Sequence, residues 1–380
     1  MLKRELMYLK KDKLLFAALV IAPVFFTLLF SWYYSPGVVK SIPTAVLDLD
    51  NSSLSRMIIN YFENNEKYDI RYFPKDEVEL KNLIQQGSVR MALVFPPEFS
   101  SKVKKGEDTR VLVICNENNL IVGNNALTRA SEILQSLGVG ILIKKIESLG
   151  YPPEYSKNLA MPLGFTARVL GNPAYNYSYF LIPGLIGVVF LEISILNMAR
   201  TVAIDASQEK NSKELMEIYI TRMFIYLAIL IFVFLVCILA VNKLFKIPIR
   251  GKVFDITLLS AAFITSCLNI GAFLGILTKN PLFSVQITAY LSMPTFLASG
   301  FTWPYHMMPE PIKKFAAIWP LYSFIIPLRN IMLLGSSEGE ILWAIKRLGL
   351  ISVFVFLLNI FIILLPTSNK EKAGIAGGER

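Results

Sequence analysis

The stretch LLFAALVIAPVFFTLLFSWYY, Leu14–Tyr34, decides the fold class. It carries no charge and is long enough to cross a ~30 Å hydrocarbon core as a helix, which takes about 20 residues. A similar run, Asn176–Ala199, contains Glu192 as its only charge. The remaining uncharged runs are Met223–Asn242, Ile256–Thr278, Asn280–Tyr305 and Leu348–Ser368. None shows the alternation of barrel strands, so we predict an α-helical polytopic membrane protein with six transmembrane helices.

The composition agrees with this prediction and excludes other classes. Of the 380 residues, 54% are hydrophobic and only 17% are charged, which is typical of membrane proteins. The first run is longer than the apolar core of a cleavable signal, and no small-residue cleavage pattern follows it, so we expect a retained anchor. The net charge of +10 comes from basic residues that flank the spans, so no nucleic-acid partner is predicted. Three scattered cysteines do not indicate a disulfide framework.

The charges beside the spans predict the topology. Basic residues outnumber acidic ones in the segment before Leu14, which places the N-terminus in the cytoplasm. An even number of spans places the C-terminal tail, 369–380, there as well, and the localisation is a cell inner membrane. Lys243, Lys246 and Arg250 oppose this topology, because they lie in a loop predicted outside. Either the N-terminal signal overrules them, or one span is re-entrant and the parity changes.

Residues 36–171 have the pattern of a folded α/β domain inserted after the first span, 1–35. Thr44–Leu49, Tyr68–Phe73, Arg90–Phe95 and Arg110–Cys115 are predicted strands. Helices are predicted from the Asp50-Asn51-Ser52 cap to about Asn64, over Lys75–Gln86, and over Asn119–Leu149 as one or two longer helices. Strands alternating with short helices favour at least partly parallel pairing. We expect this domain to be extracytoplasmic.

The rest of the chain is divided into a second span with its end (172–200), a cytoplasmic segment (201–222), three spans (223–299), an extracytoplasmic hairpin (300–340) and a last span (341–368). Within the hairpin, Phe315–Leu328 is uncharged but short, and Pro320 and Pro327 interrupt it. About fourteen such residues fit a re-entrant pair of helices better than a crossing.

Motifs of soluble enzymes are missing from the sequence. A single histidine, His306, argues against a Ser-His-Asp triad or a multi-histidine metal site. No HExxH, GxSxG or G-x-x-x-x-G-K-[ST] motif occurs, so this chain has no predicted catalytic or metal residues. If ATP drives the protein, another chain hydrolyses it.

Polar residues inside the predicted spans are candidates for a substrate path. Glu192 is either a substrate or gating residue, or lies about one turn from the cytoplasmic end and pairs with Arg200 or a neighbouring helix. Asn269, Gln286 and Asn359 are further mid-span candidates, for which hydrogen bonding between helices is the alternative.

The segment Ala203–Arg222 is charged and has a helical pattern. It is either a solvated linker or a docking site for a cytoplasmic partner. The candidate coupling residues are Asp205, Gln208, Glu209, Lys210, Lys213, Glu214 and Glu217.

The chain resembles the permeases of type 2 ABC exporters, in the subfamily with a large external domain after the first span. The similar segments are LKRELMYLKKDKLLFAALVIAPVFFTLLF with its Pro23, TAVLDLDNSSLSR, NPAYNYSYFLIPG, FKIPIRG, and SGFTWPYHMMP continuing through WPLYSFIIPLRNIMLLG. The last pair is similar to the re-entrant hairpin of that family. The chain departs from the family before the third span, where it reads QEKNSKE without the usual following proline, so position more than motif assigns the coupling segment.

The resemblance implies a permease that is not itself an enzyme and exports a hydrophobic or amphiphilic substrate. It binds no cofactor itself, because ATP and Mg²⁺ sit on a cytoplasmic ABC ATPase partner. The other implied partners are a second permease copy or paralogue, membrane lipids and a periplasmic adaptor. The hairpin would form the outer gate, with Gly300, Phe301, Pro304, Met308, Pro309, Pro320 and Arg329.

Three alternatives remain open at this point. A permease-like anchor could transmit ATP energy to an extracytoplasmic partner without moving substrate. The external domain could be a receptor or assembly module, although a simple anchor needs only one span. A secondary transporter would be expected to show paired mid-membrane charges and recognisable halves, and neither is evident.

Overall fold

The computed structural model describes residues 2–36, 41–115, 120–162, 169–173, 176–208, 210–335 and 338–365. It divides the chain into two compact units, which are described separately below. The membrane unit comprises Met1–Ser35, Leu170–Asn172 and Ser178–Arg380, and the α/β unit comprises Pro36–Val169 and Pro173–Tyr177.

The membrane unit begins with a short helix and a span. Helix α1 is Leu2–Lys11 and helix α2 is Lys13–Tyr33. Asp12 separates them, and its carboxylate accepts a hydrogen bond of 2.9 Å from the backbone N–H of Leu15 at the start of α2. A π-helical turn precedes Pro23 within α2, because proline cannot donate the backbone hydrogen bond that a regular helix needs there.

The α/β unit contains a four-stranded sheet. Its elements are β1 (Ile42–Asp48), α3 (Ser53–Glu63), β2 (Tyr68–Tyr72), α4 (Glu77–Gln85), β3 (Met91–Phe95), α5 (Phe99–Lys105), β4 (Leu112–Cys115), α6 (Leu120–Ser148) and α7 (Pro153–Ala160). The strand order is β2-β1-β3-β4. β1 pairs in parallel with both β2 and β3, whereas β3 and β4 are antiparallel. The partly parallel pairing expected from the sequence is therefore confirmed.

Local sequence signals explain most of these boundaries. The Ser52 hydroxyl accepts a hydrogen bond from the Ser55 backbone N–H, and the Ser55 hydroxyl accepts one from the Ser52 backbone N–H. These two bonds form a capping box at the start of α3. Gly87, with φ of 72°, follows the C-cap of α4. β3 is buried along its whole length, as expected for a strand covered on both faces. Helix α5 was not predicted.

The core of the α/β unit lies on both faces of the sheet. One cluster packs Phe62 of α3 and Ala126 and Ala130 of α6 against strands β1 and β3. The other packs Leu80 of α4 on the opposite face. Tyr68 donates a 2.9 Å hydrogen bond from its hydroxyl to the Ala126 carbonyl, and burial raises the pKa of this phenol.

The membrane unit continues with seven further helices in its described residues. These are α8 (Tyr177–Ser207), α9 (Ser212–Phe245), α10 (Val253–Thr278), α11 (Pro281–Leu297), α12 (Glu310–Ile318), α13 (Pro320–Leu334) and α14 (Glu338–Leu364). Helices α12 and α13 bend by 85° around Trp319. The predicted broken helix pair is thus present, although it extends beyond Phe315–Leu328 at both ends.

Six helices in the described part of the chain are long and apolar enough to cross a membrane. The predicted number of six spans therefore agrees with the structure, but one of the six helices is not the one that was predicted. The predicted fifth span, Asn280–Tyr305, is helical only over the 17 residues of α11, and the chain turns after it at Gly300, which has a φ of 79°. Ala126–Ser148 satisfies the length and hydropathy criteria instead, although Ala126 and Ala130 pack in the sheet core of the α/β unit.

Helices α8 and α10 pack at very short distance through two glycines one turn apart. A Cβ atom on Gly271 would lie 2.5 Å from the Ile195 carbonyl oxygen, and one on Gly275 would lie 2.6 Å from that of Ala199. The obstacle is helix backbone, which cannot rotate away as a side chain can. This spacing of small residues is the usual means by which membrane helices approach closely.

We predict that Gly275→Ala destabilises the bundle although alanine is the better helix former. Overpacking of this kind costs about 1–3 kcal/mol, so the apparent unfolding midpoint in detergent should fall. Gly349→Ala on α14 is the control, because nothing lies within 4 Å of a Cβ there. Equal midpoints for the two variants would contradict the close packing of α8 on α10.

Candidate coupling and gate sites

A buried cluster of charged residues joins three helices at one end of the membrane unit. Arg222, on α9, has a side chain only 3% exposed. Its Nε and Nη2 atoms donate to Glu5 Oε2 at 2.9 and 2.8 Å, and its Nη1 donates to Asp205 Oδ2 at 2.7 Å. Lys210 also pairs with Asp205. We call Glu5, Asp205, Lys210 and Arg222 the Arg222 cluster.

The amphipathic pattern of α1 explains why Glu5 faces the Arg222 cluster. Glu5 and Leu9, one turn apart, are its buried residues, so the only carboxylate of this basic helix faces inward. The Tyr8 ring lies beside them, with its centroid 5.4 Å from the Arg222 guanidinium carbon. Burial raises the pKa of the Tyr8 phenol, against the opposing effect of Arg222, so this residue presents a neutral aromatic face to the cation.

Weaker ion pairs surround the Arg222 cluster. Arg4 lies 3.2 Å from Glu214, and these two side chains are 52% and 40% exposed. Arg200 lies 3.6 Å from Asp12. An exposed pair such as Arg4 with Glu214 contributes about 0–1 kcal/mol, whereas loss of one partner from a buried pair costs about 3–5 kcal/mol. The Arg200–Asp12 pair, with side chains 28% and 21% exposed, lies between these cases. The Arg222 cluster is therefore the main electrostatic connection between α1, α8 and α9.

The structure brings some of the predicted coupling residues together and separates others. Asp205 and Lys210 belong to the Arg222 cluster, and Glu214 pairs with Arg4. Gln208, Lys213 and Glu217 are exposed, and Glu209 lies outside the described residues.

The helical pattern expected for Ala203–Arg222 is present, as the adjoining ends of two long helices. Helix α8 continues to Ser207 and α9 starts at Ser212, so only residues 208–211 connect them. The residues missed from the sequence are Glu5 and Arg222, which looked like ordinary charges flanking spans. The sequence did contain one indication of the cluster, because Glu5 lies on the apolar face of α1 together with Leu9.

Asn269 and Asn359 form a hydrogen-bonded knot in the interior of the membrane unit. The Tyr219 hydroxyl donates to Asn269 Oδ1. Asn269 Nδ2 donates to Ser352 Oγ at 2.7 Å, and Asn359 Nδ2 donates to the Asn269 carbonyl at 2.9 Å and to the Tyr219 hydroxyl at 3.2 Å. These contacts connect α9, α10 and α14. Asn269 and Asn359 therefore form hydrogen bonds between helices, which was the alternative to a place on the substrate path. Gln286 is exposed on α11 and takes no part in the knot.

Glu192 lies near the middle of α8, not one turn from its end. The helix runs from Tyr177 to Ser207, and Arg200 pairs with Asp12 instead. The expected position one turn from the end and the expected Arg200 partner were therefore wrong, whereas the expected contact with a neighbouring helix is present, because the Glu192 side chain hydrogen-bonds to Ser292 of α11. The Glu192 Oε2 atom is buried and, within the described residues, has no hydrogen-bond partner.

The surroundings of Glu192 connect α8 with α11 and with the bend between α12 and α13. A cavity of about 10 Å³ lies beside it, lined by Thr288, Ser292 and Thr295 of α11 and by Trp319 at the bend. An intramembrane carboxylate with an unpartnered oxygen is energetically costly and is therefore a functional candidate. Glu192 therefore lies next to the bend between α12 and α13.

The opposite end of the membrane unit contains an aromatic clamp. The rings of Phe180 and Phe301 stack with centroids 4.9 Å apart. The Arg329 guanidinium carbon lies 5.1 Å from the first ring and 5.9 Å from the second. Gly184 makes room for Phe301, because a Cβ atom there would lie 2.3 Å from its ring. Two predicted hairpin residues, Phe301 and Arg329, therefore contact the start of α8.

The other predicted hairpin residues lie around this clamp or on α13. Gly300 has φ of 79° and turns the chain after α11. Met308 and Pro320 are buried, whereas Pro304 and Pro309 are exposed. A residue missed from the sequence is Arg347 of α14, whose Nη2 donates a 3.0 Å hydrogen bond to the Ala317 carbonyl at the end of α12. It was missed because it lies just before the uncharged run Leu348–Ser368 and looked like an ordinary charge at the end of a span.

The basic loop between α9 and α10 lies at the clamp end. The backbone N–H groups of Arg250 and Gly251 donate to the carbonyls of Met332 and Ile331, at 2.9 and 3.0 Å. The Tyr179 hydroxyl donates to the Lys246 carbonyl at 3.2 Å. This loop, the start of α8 and the end of α13 therefore share one end of the unit, as alternating spans require. Within the described ranges, no group of His, Cys, Asp and Glu is arranged to hold a metal ion.

These features define a polytopic α-helical membrane protein whose described helices include a pair bent by 85°. The family model for the ABC-2 family transporter protein matches residues 13–361. The chain belongs to this family. No solved structure gave a significant match.

Several named relatives carry the same assignment. The chain is similar to the probable multidrug ABC transporter permease YbhS of Escherichia coli, with 22% identity over 267 residues that cover 68% of each chain. It is similar to the inner membrane transport permease YhhJ of the same species, with 24% identity over 323 residues and 81% of each chain. ABC transporter G family member 20 of Dictyostelium discoideum is 22% identical, over 97% of this chain and 50% of the relative.

We predict that Arg222→Ala destabilises the chain far more than Arg4→Ala does. The first leaves Glu5 and Asp205 buried with one cation fewer, at a cost of about 3–5 kcal/mol. The second removes an exposed pair worth about 0–1 kcal/mol. Thermal unfolding in mild detergent measures both. Equal midpoints would show that the Arg222 cluster contributes no more than a surface ion pair.

Substitutions at Glu192 and Asn269 should act in opposite directions. Glu192→Met removes a half-buried carboxylate whose Oε2 atom has no hydrogen-bond partner in the described residues, and it should stabilise the chain by about 1–3 kcal/mol even though the hydrogen bond to Ser292 is lost. Asn269→Leu leaves the Tyr219 hydroxyl, Ser352 and Asn359 with missing partners and should destabilise it by a similar amount. The same thermal assay in detergent compares them. A loss of stability in Glu192→Met would mean that the carboxylate is stabilising where it lies.

Proposed function

We propose that the chain is the permease subunit of an ABC exporter, moving a hydrophobic or amphiphilic substrate out of the cytoplasm or the inner leaflet. The observation that carries the proposal is the Arg222 cluster, which ties α1 to both α8 and α9 beside the short turn at 208–211. A force applied to this turn moves three helices together. The multidrug name of YbhS agrees with an apolar or amphiphilic cargo.

The ATPase partner would dock on the exposed surface around the turn. Gln208, Lys213 and Glu217 are exposed there, next to charges that are already paired. ATP and Mg²⁺ would be bound and ATP hydrolysed on the partner, and this chain would supply only the receiving surface. With 31 and 34 residues, α8 and α9 are each about 45–50 Å long at 1.5 Å per residue, enough to carry a displacement across the bilayer.

Glu192 and the bend at Trp319 form the proposed gate. Glu192 lies on α8, the same helix that carries Asp205 of the Arg222 cluster and Phe180 of the aromatic clamp. A tilt of α8 would therefore move Phe180, Glu192 and Asp205 together. Only a state-dependent difference in binding free energy can shift such an equilibrium, so the substrate must contact the path differently in the two states.

The sidedness and partners belong to the same proposal. The N-terminus and the 208–211 turn would face the cytoplasm, and the basic loop, the clamp and the α/β unit would face outward from a cell inner membrane. This topology agrees with the common end shared by Lys246, Tyr179 and Met332. A second permease copy or paralogue and membrane lipids would complete the assembly, and a periplasmic adaptor would meet the α/β unit.

Charge reversal at the turn should separate coupling from folding. We expect Lys213→Glu to reduce substrate-stimulated ATP hydrolysis of the reconstituted complex several-fold without changing the unfolding midpoint, because Lys213 is exposed. Lys252→Glu is the matched control, since this lysine is 76% exposed at the other end of the unit.

Two outcomes would count against the proposal. Failure of the chain to co-purify with an ATPase subunit in mild detergent would remove the ABC mechanism. Equal stimulated hydrolysis in Lys213→Glu and Lys252→Glu would remove the turn as the docking surface.

A further inference from the structure

A large groove in the α/β unit takes no part in the coupling and gate sites. Its volume is about 840 Å³, within the ~300–1,000 Å³ of small-ligand sites. Helices α3, α5 and α6 line it. Leu54 and Met57 of α3, Val103 of α5 and Leu137 and Ile141 of α6 form its apolar wall. An apolar wall of this length suits an aliphatic or aromatic body better than a small polar solute.

The charged side chains that line the groove are all positive. Lys104, Lys144 and Lys145 are among its lining residues, and no lining residue is acidic. In the described part of the chain, none of these three ammonium groups has a carboxylate at ion-pair distance. Lys145 Nζ lies beside Gly106, where a Cβ atom would approach it to 2.8 Å, so the cation is placed at the end of α5. Three cations next to an apolar wall complement an anionic head joined to an apolar body.

We propose that this groove binds an anionic amphiphile of the fatty-acid type. The chain of the ligand lies against Leu54, Val103 and Ile141, and its carboxylate lies at Lys104 and Lys144. Both parts of the groove are needed to explain this choice. An inorganic anion would leave the apolar wall uncovered, and a neutral hydrocarbon would make no use of the three cations beside that wall.

One glycine allows the groove to be filled without disturbing the fold. Gly140 lines the groove, and nothing lies within 4 Å of a Cβ atom built on it. Gly138, on the same helix, also has nothing within 4 Å, but it does not line the groove. Gly140→Trp therefore blocks the site, and Gly138→Trp introduces the same residue two positions away, on another face of α6.

The test uses the full chain in nanodiscs of zwitterionic phosphatidylcholine. A long-chain fatty acid carrying a diazirine is added and irradiated, and the labelled peptides are mapped by mass spectrometry. We expect labels on α3, α5 and α6, and about tenfold less labelling in Gly140→Trp and in the double variant Lys104→Glu with Lys144→Glu, as for loss of a charge-assisted contact. Gly138→Trp should label like the parent chain. Unfolding midpoints verify that each variant is folded.

The outcomes that overturn the proposal are distinct. Equal labelling by the methyl ester of the same probe would show that the lysines do not select the anion. Undiminished labelling in Gly140→Trp would place the ligand elsewhere. A changed oligomeric mass in Gly140→Trp with undiminished labelling would show that the groove is instead covered by a second copy of the chain. The assay uses neither ATP nor transport, so its result is independent of the proposed exporter function.

Discussion

The arrangement of the membrane unit depends on the cost of an unpaired charge in a low-dielectric interior. Arg222 lies among helices with 3% of its side chain exposed, and water cannot supply its five donors there. Glu5 and Asp205 must therefore come to it, one from α1 and one from the end of α8. Because both carboxylates are held by the same guanidinium, the position of α1 is fixed relative to α8 and α9. An interfacial helix that would otherwise be free on the membrane surface becomes part of the bundle.

The polar residues inside the bundle fall into two groups with different consequences. Tyr219, Asn269 and Ser352 hydrogen-bond to one another across three helices, which stabilises one arrangement of α9, α10 and α14. Glu192 has an oxygen atom without such a partner in the described structure. The network joins three helices although one of its atoms, Asn359 Oδ1, also lacks a partner in the described structure, whereas the Glu192 carboxylate hydrogen-bonds to Ser292 of α11. The first group therefore connects α9, α10 and α14, and the proposed gate assigns to Glu192 the contact that would change.

The sequence allowed the type of each element to be predicted better than its partners. Hydropathy identified five of the six predicted spans, and the Ser52 cap and the alternation of strands with helices identified the α/β elements, because these signals are local. Hydropathy failed for Asn280–Tyr305, of which only Pro281–Leu297 is helical. Hydropathy alone would also have taken Ala126–Ser148 for a span, although Ala126 and Ala130 pack on the sheet. Asp205 was predicted as a candidate, but Arg222 and Glu5 were not. Their partnership joins residues 217 positions apart, and no local pattern encodes it.

In the proposed mechanism, the short connection between the end of α8 at Ser207 and the start of α9 at Ser212 makes a separate coupling helix unnecessary. A separate coupling helix would need its own packing to pass a displacement to the spans. Here α8 and α9 are themselves the extensions, and the Arg222 cluster prevents them from sliding past α1. Gly271 and Gly275 bring α10 within backbone contact of α8, so a tilt of α8 must be accommodated by α10 as well. In the proposed mechanism, the displacement would reach Glu192 and the aromatic clamp along α8, and close packing would transmit it because protein interiors have low compressibility.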